Sequence, residues 1–466
     1  MSSHEKQRQQ KTSQEGYSRE EAVNPCGTGK APSFSSAQTE EQTCKDPSNS
    51  LLEEALSRDN MYRALRRVEQ NRGAAGVDGV EVKSLRQYLK EHWPRIREEL
   101  LNGTYEPYPV RRVEIPKPDG GVRLLGIPTV ADRLIQQALL QILTPIFDPQ
   151  FSNHSYGFRP GRSAHQAVKK AKLYISEGYR YVVDMDLEKF FDKVNHDVLM
   201  ARVARKVQDK RVLKLIRKYL EAGIMQNGVV VASEEGTPQG GPLSPLLANI
   251  ILDDLDKELE KRGHRFVRYA DDCNIYVKSK RAGQRVMENV SELVEGRLKL
   301  KVNRSKSAVD RPWNRKFLGF SFTWNKQPKI RLAEKTRKRF KDRVRELTNK
   351  SRSISLKERL GKLNRYLRGW IGYFRLIDTP SILQELDEWI RRRLRACLLK
   401  QWKKPRTRRR KLVALGIPED WARLISGSRK GIWRLSNTPQ VNKALGLAFW
   451  RNQGLLSLTD CHKGIC

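Results

Sequence analysis

The chain has 466 residues, with 91 Lys and Arg against 53 Asp and Glu and a formal net charge of +38. That is length for two to four packed units, under a single-sign field that suits a nucleic-acid partner, with a solvated basic surface as the alternative. No run of about eighteen apolar residues occurs and MSSHEKQRQQ lacks the order of a secretory signal, so a membrane span and export are not expected and the cytoplasm is.

Residues 1 to about 50 are rich in Gln, Ser, Glu and Lys and aperiodic, a composition that buries no core and is expected to stay disordered. From Leu51 the character changes: Leu51, Leu52, Ala55, Leu56, Met61, Leu65 and Val68 recur at helical spacing until NRGAAGVDGV breaks it. From Val110 to Pro128, VRRVEIPKPDGGVRLLGIP reads as strand, turn and strand with cations on both arms. Asp132 is expected to open an amphipathic helix that carries Leu134, Ile135, Ala138, Leu139 and Ile142 on one face and ends before Pro145. The loop FSNHSYGFRPGRS, a helix and the strand YVVDMDL follow. Next come a longer helical region, the loop EEGTPQGGPLSP, a helix from Leu246 to Leu259 and a hairpin centred on ADD. Strands and helices mix without a regular βαβ repeat, so the class is α+β with an antiparallel sheet.

From about Leu332 the period is helical and the charge strongly basic. Trp370, Tyr373 and Phe374 fall at i, i+3 and i+4 in GWIGYFR, the spacing of a buried bundle face, with base stacking as the alternative. Arg391 to Pro418 contains no acidic residue, and RRRLR and KKPRTRRRK suit a phosphate backbone. Cys26, Cys44, Cys273, Cys397, Cys461 and Cys466 form no CxxC pair, so neither a zinc site nor a disulfide framework is indicated.

The chemistry is carried by carboxylates. FVRYADDCNIYV sets Asp271 and Asp272 at the tip of a hairpin, although Asp is also a common turn residue. In YVVDMDLEKFFD, Asp184 and Asp186 lie two apart on a strand and so share one face, with Met185 on the other. Acidic groups on so apolar a strand need a compensating cation. Three of them converging would hold two Mg²⁺ with positions open for substrate phosphates, the arrangement nucleotidyl transfer requires. Lys117 and Arg123 flank the PDGG turn and are candidates to grip a triphosphate, with mere surface cations as the alternative; Gln239 lies in a glycine-rich loop that lets backbone approach a ligand.

In this order the blocks NRGAAGVDG, VEIPKPDGGVRLLGIP, FSNHSYGFRPGRSAHQAV, YVVDMDLEKFFD, GTPQGGPLSPLLANIILDDLD, YADD, LKLKVNRSKSAV, FLGFSF and GWIGYFR closely resemble bacterial group II intron reverse transcriptase/maturases over about Leu51 to Leu458, most of all the compact class without an endonuclease. The resemblance implies a right-hand polymerase: fingers from Leu51 to about Arg162, palm to about Phe322, a helical thumb to about Lys400, called domain X, and a basic DNA-binding segment after it. It implies catalytic metal ligands at Asp186, Asp271 and Asp272, with Leu187 beside them among the metal-site residues. It implies Phe191 as the gate against ribonucleotides, Lys117, Arg123 and Gln239 on the incoming nucleotide, and Lys306 as proton donor to the leaving group; Asp184 stays a neighbour. It implies as partners intron RNA, an RNA template with its primer, dNTPs and target DNA. Cys461, His462 and Cys466 lack the spacing of an HNH endonuclease and read as loose terminal residues. Two other functions stand beside this one: a splicing cofactor with a vestigial polymerase, and a reverse transcriptase recruited to phage defence or DNA repair.

Overall fold

The computed structural model describes residues 50–116, 121–226, 229–231, 236 and 240–465. The expected polar tail, Lys117 and Gln239 therefore lie outside the described residues. Two compact units divide the described chain, one covering residues 50–315 and the other residues 316–465.

Among its described residues the first unit carries strands β1 (Val110–Pro116), β2 (Val122–Ile127), β3 (Tyr181–Met185), β4 (Ile224–Gln226), β5 (Val229–Val231), β6 (Arg265–Tyr269), β7 (Asp272–Val277) and β8 (Ala308–Asp310). They form two four-stranded sheets, ordered β2-β1-β4-β5 and β6-β7-β3-β8. The second sheet is antiparallel throughout, while the first includes a short parallel pairing of β1 with β4, Val110 opposite Ile224.

Strand alternation divides the second sheet into two unlike faces. Val183 pairs with Ile275 and Val309, and Met185 with Cys273, so these apolar side chains share the inner face. The helix Ser244–Lys261 lies in the same core, with Ile250, Ile251, Leu252 and Leu255 buried. The helix Lys280–Arg297 approaches so closely that Gly283 has no room for a Cβ against Val309. The opposite face carries Asp184 paired with Asn274, and Tyr269 paired with Asp272. Asp184, Asp186 and Asp272 thus come to one side because the apolar residues between them are claimed by the other.

Several boundaries differ from expectation. The helix expected from Asp132 runs Val130–Phe147, its N-cap being Thr129, whose hydroxyl accepts from the Asp132 N–H. It continues through Pro145, and the helix expected at Leu246 already starts at Ser244, with Pro245 in its first turn, where a missing N–H costs nothing.

In the second unit a hairpin of β9 (Phe320–Phe322) and β10 (Ile330–Leu332) precedes the helices Glu334–Leu347, Leu356–Phe374 and Ser381–Gln401. This unit starts at Lys316, inside the stretch expected to be palm, because Phe320 packs on Phe374 with ring centroids 5.1 Å apart. Trp370 and Phe374 are buried in an aromatic stack with Phe340, and Tyr373 donates its hydroxyl to the Leu318 carbonyl, 3.0 Å, so the rings of GWIGYFR serve the bundle. The chain end is docked rather than loose: Cys461 and His462 belong to the short helix Leu458–His462, whose first N–H groups donate to Asp387, and the His462 ring bonds the Ile377 carbonyl. Cys273 and Cys397 are buried free thiols, whereas Cys461 is disulfide-bonded, where the cysteine spacing indicated no disulfide framework.

Candidate active site

The β6–β7 hairpin turns through Ala270 and Asp271, and Ala270 takes φ +57, a left-handed conformation that an L residue holds only when its surroundings enforce it. Arg268 enforces it. This side chain lies on the inner face, wholly buried, and all five of its N–H groups find acceptors. Nε and Nη2 grip the Asp256 carboxylate at 2.7 and 2.5 Å, and Nη2 also reaches Ser155 Oγ at 2.8 Å. Nη1 donates to Asn249 Oδ1 at 3.0 Å and to the Ala270 carbonyl at 2.9 Å. Asn249 in turn donates to the Gly157 carbonyl, and Gly157 lies so near the Ala270 nitrogen that no Cβ fits between them. A buried ion pair satisfied at every donor thus fixes the peptide that precedes Asp271.

Asp272 opens β7 opposite Tyr269, with Asn274 Nδ2 3.4 Å from its carboxylate. Asp186 follows the end of β3, one position beyond the pairing of Met185 with Cys273, which sets it across from Asp272. The segment 301–307 straps this exit: Ser307 Oγ accepts from the Asp186 N–H at 3.0 Å, the Asp186 carbonyl accepts from the Asn303 N–H at 2.8 Å, and Leu187, buried, bridges to Val302. Lys306, from the same strap, holds its ammonium 3.6 Å from Asp186 Oδ2. Asp184, on the same face, is bound instead by Arg315 at 2.6 Å.

Burial pushes the Asp271 carboxyl above its ordinary range and the Asp186 charge pushes it further, while Arg123 and Arg268 pull it down. Arg123, half-buried on β2, therefore lies within electrostatic reach of Asp271. Phe190 and Phe191 follow Lys189, whose backbone is left-handed at φ +45; Phe190 is buried at 2 % exposure while Phe191 is half-buried, the rings edge-on at 5.1 Å. Gly236 sits behind them: a Cβ there would fall 2.9 Å from the Phe191 carbonyl oxygen. Gly240 likewise closes on the Gly126 carbonyl of β2, 2.6 Å from where a Cβ would be, so these two glycines serve close approach of the chain to itself.

The structure thus brings Asp186, Asp271, Asp272, Arg123 and Lys306 to one region, with Leu187 adjoining it, while Phe191 packs against the core of the same unit. Lys117 and Gln239 lie outside the described residues. Among the described residues no three His, Cys, Asp or Glu side chains close round a metal-sized space. The donor chemistry nonetheless fits a hard divalent cation, since the Asp186 charge raises the proton affinity of Asp271 and a dication would reverse that. Sequence reasoning missed Arg268, Asp256, Asn249 and Ser155. The available signal was alternation, which puts Arg268 on the same face as Phe266, inward, where a charge needs a partner.

Residues 115–322 match the reverse transcriptase (RNA-dependent DNA polymerase) family and residues 337–415 match the group II intron, maturase-specific domain. The chain is 36% identical over 272 residues to protein YkfC of Escherichia coli, across 50% of this chain and 71% of YkfC. It is 31% identical over 350 residues to the group II intron-encoded protein LtrA of Lactococcus lactis, across 61% of this chain and 58% of LtrA. A solved partial Cas6-RT-Cas1–Cas2 complex aligns with a TM-score of 0.35 at 27% identity, over 53% of this chain and 42% of that one. Among the described residues no helix is long and apolar enough to cross a membrane.

Proposed function

The chain belongs to the family of group II intron-encoded reverse transcriptases that carry a maturase domain, and from that premise we propose an RNA-directed DNA polymerase that extends a primer at Asp186, Asp271 and Asp272 and also binds intron RNA to promote splicing and mobility. What supports the polymerase reading is that Asp186 and Asp272 come from neighbouring strands to one side of the second sheet, while the Asp186 charge acts on Asp271 in the turn that Arg268 holds.

The family's divalent ions would here be two Mg²⁺, which Asp186, Asp271 and Asp272 would hold with Leu187 beside them and which would supply activation of the primer 3′-hydroxyl and charge neutralisation for the departing pyrophosphate. The residues do the rest. Arg123, with Lys117 and Gln239, orients the incoming triphosphate by charge and hydrogen bonding. Phe191 packs beside its sugar and leaves no space for a 2′-hydroxyl. Lys306, exposed and 3.6 Å from Asp186, gives its proton to the leaving phosphate. Residues 51–162 serve as fingers, 163–315 as palm, 316–400 as thumb, and the exposed cations of Pro405–Ala414 and beyond as the contact to target DNA. The primer–template and dNTPs are the substrates, in a cytoplasmic ribonucleoprotein with the intron.

Asp271→Asn tests the site. It keeps volume and surface charge nearly as they are, so primer extension on an RNA template should fall at least a thousandfold while RNA affinity changes less than threefold. Near wild-type extension would refute the assignment.

A further inference from the structure

Phe158, in the loop FSNHSYGFRPGRS, combines two features that seldom coincide in a bulky residue: a backbone at φ +58 and a ring 38 % exposed. Its neighbours permit no relaxation. Gly157, buried, is wedged against the Ala270 nitrogen. Arg159, 9 % exposed, donates to Asp148 Oδ1 at 2.7 Å, to the Asp148 carbonyl at 2.8 Å and to the Ser152 and Ser155 carbonyls at 2.6 and 3.1 Å. The loop also pairs with β6, the Tyr156 N–H donating to the Arg268 carbonyl at 2.9 Å. Pinned on both sides, the chain presents the ring outward.

That ring stands 6.3 Å from the ring of Tyr269, which pairs with Asp272 on the carboxylate-bearing face. Together the two form an apolar ledge beside the site of an otherwise strongly cationic chain. Phosphates gain nothing from such a ledge, whereas the sugars and base edges of a duplex end do. Base pairs stack about 3.4 Å apart, so two rings at this separation span about two of them.

We propose that Phe158, with Tyr269, receives the last base pairs of the primer–template duplex, packing on sugar and base edge so that the primer terminus meets Asp271 and Asp272. The proposal rests on the polymerase reading and adds the surface that seats the duplex. A local strain that persists only because Gly157 and Arg159 enforce it is then explained by what the displaced ring touches.

Steady-state extension of a DNA primer annealed to RNA, with the full chain, tests it. Phe158→Ala should raise KM for primer–template at least fivefold, leave kcat at saturation within twofold and KM for dNTP unchanged, and Phe158→Trp should restore the primer–template KM. Phe158→Leu, which keeps apolar volume and loses the flat face, carries the same expectation and replaces the alanine variant if that one melts early. An unchanged primer–template KM, a rise in dNTP KM instead, failure of Trp to restore it, or a KM change matched by a fall in melting temperature in both variants would overturn the ledge. An active wild type with an unaltered Phe158→Ala rejects the ledge alone, whereas a wild type that extends no primer rejects the polymerase reading beneath it.

Discussion

At Lys189 the backbone leaves the helical and extended regions, at φ +45, and of the two adjacent rings that follow, Phe190 is buried in the core while Phe191, the proposed gate, stays half-buried against it. An apolar pocket that merely fails to satisfy an added hydroxyl discriminates by about a hundredfold, and steric exclusion adds to that. Phe191→Ala should therefore lower the ratio of kcat/KM for dNTP over rNTP by more than about tenfold, roughly 1.4 kcal/mol, while DNA synthesis survives. Single-nucleotide extension with each substrate measures it, and an unchanged ratio rejects the gate. The chemistry-bearing residues were legible because their meaning is local: two carboxylates at a hairpin tip, two more at alternate strand positions. Arg268 was legible only in part: alternation turns it inward, but its side-chain acceptors lie 12, 19 and 113 residues away, so no local pattern names the partners of its charge.

Among the elements, the helix Val130–Phe147 shows what periodicity conveys and what it leaves out. Its apolar face was readable; the role of Asp132 was not, because it depends on Tyr105 and Tyr219, brought in from other helices and loops. Asp132 is almost wholly buried, accepting from Thr129 Oγ1 at 2.6 Å and the Tyr105 hydroxyl at 2.9 Å. Burial outweighs these bonds and pushes its carboxyl up to about 6. With the folded value above the ordinary 3.8, the folded state binds the extra proton, so the stabilisation is full at low pH and is lost as pH rises through about 6. Relative to Asp132→Asn, the wild type should lose about 2 kcal/mol between pH 4.5 and 7. Urea unfolding of both proteins at the two pH values checks this, and a difference that does not vary with pH would contradict it. The strands fared better than the helix ends, since an alternating apolar pattern fixes which face a residue occupies even where a boundary slips by two residues.

For the molecule as a whole, the charge of +38 suits a polyanion without saying which cations would bind it. Affinity for intron RNA should fall with salt along a log-log slope steeper than about −3, as for at least about four phosphate contacts, measured by filter binding between 50 and 200 mM salt. A slope near zero would exclude the electrostatic reading. The α+β class and the strand order around the carboxylates follow from patterns in the chain, whereas the fate of individual arginines does not. Arg359, 1 % exposed, donates to the carbonyls of Leu347, Asn349 and Arg352 at and beyond the end of the helix Glu334–Leu347, and Arg395 donates to that of Ser436. Arg268 belongs with them. A dicarbonyl reagent such as phenylglyoxal, which attacks accessible guanidinium groups, should consequently sort the arginines into two kinetic populations. The fast one would be shielded by RNA and trace its footprint. The slow one, Arg268, Arg359 and Arg395, would ignore RNA and react only as the fold opens, so one chemistry would read both the bound surface and the integrity of the scaffold beneath it.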